Sequence, residues 1–312
     1  MARKLRYMRQ SRGTFEITTR TLQGRLLLRP SKELNAIILG IIGRAIKRYP
    51  VMLHLVVVAS NHIHMILTTE SVKLLSEFMR HVNSNIAREA GLLHQWREKF
   101  WGRRYTAIEI LDDAKLINKA IYLLSHGCKE GLVMRPSDWP GVNCVDAVTR
   151  GKTMQGIWYN RTKQYEAGRA GQPVSRTDFG TKYEIPLTPL PCFADLSTGQ
   201  QRAQYRAMIR DIEQHTRQQL IRAGRRVMGA KKVLTQSPHR KPNKVKRSPA
   251  PLCHCSDPEE RRRYRDDFRW FTALYKQASK RLRAGEQAVR FPENCFPPPL
   301  AFSGIGGIGP PG

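Results

Sequence analysis

The sequence predicts an α+β protein: a central, mostly antiparallel sheet flanked by helices, plus a basic helical C-terminal extension. Three observations carry this. Over the first 150 residues, β-prone runs and amphipathic helical runs follow the order β-α-β-β-α-β-α. Apolar residues make up 40% of the 312, enough to bury a core, so the chain is no disordered basic tail. Lys and Arg number 54 against 25 Asp and Glu, a net charge of +29, which disfavours a small-metabolite enzyme and points to a polyanionic partner.

The elements follow in order. Phe15-Glu16-Ile17-Thr18-Thr19 alternates as a half-buried strand does. Ser31 can cap a helix from Lys32, whose Leu34, Ile37, Ile38, Ile41, Ile42 and Ala45 recur at helical spacing and which should stop before Pro50. Residues 53–58 are strongly β-prone, and Leu67-Thr68-Thr69 closes a second strand. Ser71 opens a helix with Leu74, Leu75, Phe78, Met79, Val82 and Ile86 on its apolar face. Residues 105–110 read as another strand. Asp112 or Asp113 then caps a helix holding Leu116, Ile117, Ala120, Ile121 and Leu124, ended by Gly127 or Gly131.

Charge and composition divide the chain. Residues 1–150, with 24 basic and 12 acidic residues, form the first domain. Residues 151–199 are nearly balanced in charge and rich in Gly, Pro and Thr, including Gln172-Pro173, which is linker composition. Residues 200–290 form the basic extension, with 14 basic and 2 acidic residues between 202 and 247. Residues 200–229 predict one long helix, and 258–284 another opened by Asp257-Pro258-Glu259-Glu260. Residues 291–312, rich in Pro and Gly, form a loose tail.

No apolar run approaches the roughly 20 residues of a membrane span, and the basic N-terminus has no apolar stretch behind it. The six cysteines are scattered. The one close group, Cys253-His254-Cys255, lacks a second pair at zinc spacing and reads as an ordinary loop. A reduced, cytoplasmic, nucleoid-associated protein without membrane contact is expected.

The most informative segment is Ser60-Asn61-His62-Ile63-His64-Met65-Ile66-Leu67. On a strand, His62 and His64 face one side, where two imidazoles can share a divalent metal, while Ile63 turns to the core. Asn61 can position a phosphate or a ligand, or simply form a turn. Further on, Tyr122 and His126 stand at i and i+4 and share one face of the predicted helix. A tyrosine hydroxyl is a poor nucleophile at its usual pKa of about 10. A metal that polarises the phosphate compensates, and a third ligand on the tyrosine's own helix would lock the two together.

His62-Ile63-His64 resembles the His-hydrophobe-His signature of the HUH endonucleases, and the longer string resembles their single-tyrosine transposases, above all the REP-associated branch. There the catalytic tyrosine opens Tyr-Ile-x-x-Asn-Pro-Val-Arg-Ala-Gly-Leu-Val. Here the stretch is Tyr122-Leu123-Leu124-Ser125-His126-Gly127-Cys128-Lys129-Glu130-Gly131-Leu132-Val133, followed by Asp138-Trp139-Pro140. Phe100-Trp101-Gly102-Arg103-Arg104-Tyr105 is similar to another family segment, and residues 18–20 and 26–30 to its first hairpin. The resemblance covers about residues 12–150. His126-Gly127 replaces the family's Asn-Pro, and Glu16 stands where a histidine often sits, facing solvent in the preferred reading or adding a carboxylate near the metal.

The resemblance implies a ferredoxin-like (RRM-like) HUH core that cleaves and rejoins single-stranded or hairpin DNA through a 5′-phosphotyrosine. Tyr122 would be the nucleophile, and His62, His64 and His126 would hold Mg²⁺ or Mn²⁺. A homodimer is compatible with it. The basic residues read as phosphate contacts: Arg103 and Arg104, then Arg202, Arg206, Arg210, Arg225, Arg226, Lys231 and Lys232, continued by Arg240, Lys241, Lys244, Lys246 and Arg247. Ser237-Pro238 and Ser248-Pro249 suggest extended backbone, and Trp96, Trp101 and Trp139 are candidate base-stacking or core residues. A domesticated nickase processing host repeats and a non-catalytic nucleic-acid binder that kept the fold are the alternatives.

Overall fold

The structure, a computed structural model, describes residues 5–171, 174–243 and 250–298. The expectations for Gln172-Pro173, Lys244, Lys246, Arg247, Ser248-Pro249 and the tail from Pro299 lie outside the described residues.

The first half carries the expected elements in the expected order: β1 (Gly13–Arg20), α1 (Lys32–Arg48), β2 (Met52–Ala59), β3 (His62–Thr69), α2 (Val72–Leu93), β4 (Thr106–Ile110) and α3 (Asp113–Leu124). The helix starts are chemical. Ser31, Ser71 and Asp112 accept through their side chains from the backbone N–H groups of Leu34, Leu74 and Lys115. A short strand, β7 (Cys253–His254), joins β4 in parallel, so the sheet order is β2-β3-β1-β4-β7, with every other pairing antiparallel.

β3 lies between β2 and β1 and is buried along its whole length. Its register with β1 sets Thr18 opposite His64 and Arg20 opposite His62. Paired residues share a face, so Glu16, Thr18 and Arg20 line up with the two histidines beneath α3. Ile63, Met65 and Leu67 turn the other way, with Phe15 and Ile17, into the main apolar core.

Three expectations change. Helix α3 ends at Leu124 with Ser125 as its C-cap, so His126 stands in the following turn rather than on the helix. Gly127, at φ 88°, turns the chain there and accounts for the early stop. The segment expected to be a linker contains β5 (Met154–Tyr159), α5 (Arg161–Arg169) and β6 (Gly180–Ile185), the two strands forming a separate antiparallel sheet. Its Gly156 suits a strand pressed against a helix, as described below. Cys253-His254-Cys255 is no free loop, because its first two residues form the edge strand β7.

The extension is helical, as expected, but is not an arm. α6 (Thr198–Arg222) buries Tyr205, Met208, Ile209 and Ile212 in the main core, beside α4 (Val145–Arg150). It stops at Arg222, short of the predicted 229, and Gly224 at φ 57° follows. A short α7 (Ala230–Thr235) comes next, and α8 (Pro258–Arg283) starts on an Asp257 cap. All six cysteines are free. Among the described residues no helix is long and apolar enough to cross a membrane.

α1 and β5 approach until their backbones touch. A Cβ on Gly40 would fall on the Ile157 carbonyl, and one on Gly156 would fall on the Ala36 carbonyl oxygen. Neither obstacle is a flexible side chain, so the helix and strand would have to separate. Gly40→Ala and Gly156→Ala should each lower the unfolding free energy by about 1–3 kcal/mol, read as a lower urea midpoint. Gly199→Ala, in α6 with open space around it, should leave the midpoint unchanged or raise it.

Candidate metal and nucleophile site

His62 and His64 on β3 meet His126 from the turn after α3. One ring nitrogen of each lies within 4.8 Å of those of the other two, and this is the one such group found among the described residues. The ring centroids are 4.8 Å apart for His62 and His64, 5.1 Å for His62 and His126, and 4.3 Å for His64 and His126. Tyr122 completes the cluster, its ring 5.8 Å from His64 and 5.2 Å from His126. The face expected to carry the chemistry is therefore assembled, although His126 arrives by a turn.

Each imidazole is oriented through its Nδ1. His62 Nδ1 is 2.6 Å from Asn61 Oδ1, and the Asn61 amide donates in turn to Gly24 O at 3.0 Å, which fixes its oxygen toward the ring. His64 Nδ1 lies 3.1 Å from Thr18 Oγ1. His126 Nδ1 lies 3.1 Å and 3.0 Å from the carbonyls of Tyr122 and Leu123. The acceptor oxygens behind His62 and His126 favour a proton on Nδ1 and a lone pair on Nε2, while the Thr18 hydroxyl can serve His64 as donor or acceptor; partners behind the ring are how metal-ligating histidines are held. The donor set fits a divalent metal with imidazole ligands.

The protonation states agree. Burial, reinforced by the neighbouring His126 and other positive charges, holds His62 and His64 well below the usual imidazole range. Burial and then the Lys129 charge push His126 down to about 3. Neutral imidazoles keep their lone pairs through the neutral pH range.

Tyr122 is 44% exposed. Burial of the rest, and then the charges of Glu16 and Glu130, raise its hydroxyl above the usual tyrosine value. Cations surround it. Lys129 Nζ sits 3.1 Å from the ring centroid and 3.2 Å from His126 Nε2, with its own pKa lowered by burial to about 8. Lys119 Nζ is 5.4 Å from the ring centroid, and half-buried Arg20 contributes a guanidinium nearby. Sequence reasoning missed Thr18, Arg20, Lys119 and Lys129. The strand alternation 16, 18, 20 would have pointed to the first two once β1 was paired with β3.

Glu16 does not face solvent. It is buried, and its Oε2 accepts from His254 Nε2 at 2.6 Å and pairs with Lys119 Nζ at 3.1 Å. Burial alone would raise its carboxyl, but the His254 hydrogen bond and the Lys119 charge outweigh that and hold it below the usual range. The carboxylate is thus near the histidines, though outside their 4.8 Å group.

Other motif residues prove to be scaffolding for the site. Trp139 is buried and donates from Nε1 to Val58 O at 2.9 Å, while its ring packs on Gly127 and wedges the turn that presents His126. Gly102 donates its N–H to Arg20 O at 3.0 Å, so Trp101-Gly102 closes over the end of β1 and leads into the exposed Arg103 and Arg104. Trp101 spends its own N–H on Asn83 O at 2.9 Å.

The matched region contains the histidine pair and the tyrosine. Residues 29–123 fit the family model described as "Transposase IS200 like". This segment, about a third of the chain, is similar to the IS200-like transposases. Two solved structures resemble the chain at the level of a partial superposition. A REP-associated tyrosine transposase bound to a REP hairpin gives a TM-score of 0.39 at 22% identity, covering 48% of this chain and 87% of that one. A putative transposase from Deinococcus radiodurans R1 gives 0.28 at 12% identity, covering 39% and 95%. A search of curated proteins finds no match. His126, Lys129, Glu16 and the extension all lie outside the segment that matches the IS200-like transposases.

The expected phosphate contacts divide in two. Arg206 donates to Thr149 O at 3.1 Å, and Arg202 packs on Gly151, so both are engaged at the end of α4. Arg210, Arg225, Arg226, Lys231 and Lys232 are exposed, with no carboxylate partner among the described residues. The stretch carrying the last four docks beside the histidine turn, where Met228 and Gly229 donate to Gly131 O and Leu132 O at 2.9 Å each. It then runs past Arg25 and Arg29, which donate to His239 O and Gln236 O, and brings Pro242 against Gly24.

Asn61→Ala removes the acceptor that orients His62. Divalent-metal affinity, followed by Mn²⁺ titration, should fall about 10-fold or more, with the fold retained by circular dichroism.

Proposed function

We propose that this chain is a transposase-type DNA-strand transferase that cleaves and rejoins single-stranded DNA at Tyr122, with a divalent metal, Mg²⁺ or Mn²⁺, at His62, His64 and His126. The observation that carries the reading is the convergence of three imidazoles, two of which, His64 and His126, pack against the ring of Tyr122. The match to IS200-like transposases over residues 29–123 supports it.

Bound at these nitrogens, the metal would supply Lewis-acid polarisation of the scissile phosphate. The rest falls to the chain. Tyr122 Oη forms a bond to phosphorus as the DNA 3′ oxygen leaves, giving a 5′-phosphotyrosine and a free 3′-OH. The phenol proton passes to solvent, and the departing oxygen takes one up. Attack by a 3′-OH reverses the step and releases the tyrosine, so the phosphodiester is conserved and no nucleotide cofactor is required. Lys129, Lys119 and Arg20 offset the charge of the entering phosphate and of the developing phenolate. Arg103 and Arg104 on one side, and Arg225, Arg226, Lys231 and Lys232 on the other, would hold the flanking strand or a hairpin by its phosphates.

The test uses labelled single-stranded hairpin DNA drawn from the repeats flanking the native gene, with Mg²⁺ or Mn²⁺, resolved on a denaturing gel. The native chain should form a metal-dependent covalent adduct, and Tyr122→Phe should form none. Tight hairpin binding without an adduct in either protein would favour the binding-only reading.

The basic rim gives a separate expectation. Replacing Arg225, Arg226, Lys231 and Lys232 together by Ala should weaken DNA binding. It should also flatten the slope of log affinity against log salt, by about 0.7 for each single-strand phosphate that these side chains neutralise. Filter binding over a salt series reads both.

A further inference from the structure

We propose that Glu16 and His254 are positioning residues for the histidine cluster, so that the C-terminal strand β7 completes the site. The proposal rests on the reading of that cluster as a metal centre.

His254 stands on β7 opposite Ile110 of β4, and its side chain reaches across β4 to Glu16 on β1. Its Nε2 is 2.6 Å from Glu16 Oε2, and both residues are buried. Lys119, on the tyrosine's own helix, binds the same oxygen at 3.1 Å. The second oxygen, Oε1, lies 3.8 Å from Nδ1 of His64. One oxygen is thus held by two donors, and the other faces the ring edge opposite the nitrogen left for a metal.

The location argues against a merely structural pair. Glu16 is flanked across the strands by Ile66 and Ile108. An apolar side chain would suit that position, since a buried ionic group adds little stability over a well-packed hydrophobic one. What the ionic group provides is a fixed negative charge 3.8 Å from Nδ1 of His64, which favours a proton on that nitrogen and a lone pair on Nε2. Lys119 carries the same constraint to α3 and so to Tyr122. His254 lies far outside the segment shared with the IS200-like transposases, so this support comes from the chain's own extension.

The experiment uses the full chain. Mn²⁺ affinity is measured by electron paramagnetic resonance, and the coordination sphere by the visible absorption of bound Co²⁺. His254→Ala and Glu16→Gln should each weaken Mn²⁺ binding about 10- to 100-fold and change the Co²⁺ band. His254→Gln, whose amide nitrogen can donate from the place of the imidazole Nε2, should recover most of the affinity. Tyr264→Phe is the structural control. It removes a buried 2.9 Å hydrogen bond to Glu109 on β4 and should leave metal affinity unchanged. If His254→Ala does not fold, Glu16→Gln, which keeps size and an acceptor, decides by the same readouts. Native affinity and spectrum in folded His254→Ala and Glu16→Gln would overturn the proposal while leaving the metal centre standing. Failure of the unsubstituted chain to bind either ion would overturn both.

Discussion

The register of β3 against β1 decides where the chemistry can be. Because side chains alternate, a slip of one residue would send His62 and His64 into the apolar core and bring Ile63 and Met65 under α3. Burial of β3 on both faces makes such a slip costly, since it would bury imidazoles among aliphatic side chains. The same register brings Thr18 against His64 and Arg20 beside His62, so one pairing supplies two candidate ligands, a neighbouring hydroxyl and a half-buried cation together.

The electrostatics of the site follow from that crowding. Three imidazoles are buried within reach of Lys129 and, for His62 and His64, of Arg20, so they stay neutral, while Glu16 is held beside His64 by His254 and Lys119. Such a site repels added protons and favours a polyanion. Lys129 occupies a telling place, over the tyrosine ring and against His126 Nε2. A cation that took the imidazole lone pair would displace its ammonium, and the open face of Tyr122, where a phosphate would enter, is beside it. On the proposed reading, metal loading and phosphate attraction would in this way be coupled through one side chain.

Local signals were legible in the sequence because they act locally. Ser31, Ser71 and Asp112 announce helices by bonding three residues ahead, and the His62, His64 alternation reports a strand without any knowledge of its partners. The rings of Tyr122 and His126 are adjacent although the helix ends before His126, since the capping turn keeps near-helical geometry for one more residue. Long-range partners were not legible. Glu16 reads as a solvent-facing strand residue until His254, 238 positions away, is seen to reach it. The β5 and β6 segment reads as a linker because it has the Gly and Pro content of a loop, although one of those glycines, Gly156, is what permits backbone contact with α1.

The extension changes meaning once its contacts are followed. A basic helix attached by a linker would add affinity for DNA and nothing else. Here α6 shares the main core, the stretch after it docks on the turn that carries His126, and β7 adds an edge to the sheet and a hydrogen bond to Glu16. Phosphate contacts made by Arg225, Arg226, Lys231 and Lys232 would therefore pull on backbone bonded directly to Gly131 and Leu132, a few residues from a candidate ligand. The basic stretch and the histidine turn are joined by hydrogen bonds rather than by a tether. Loss of the extension would accordingly disturb the histidine cluster itself and not only the proposed phosphate contacts.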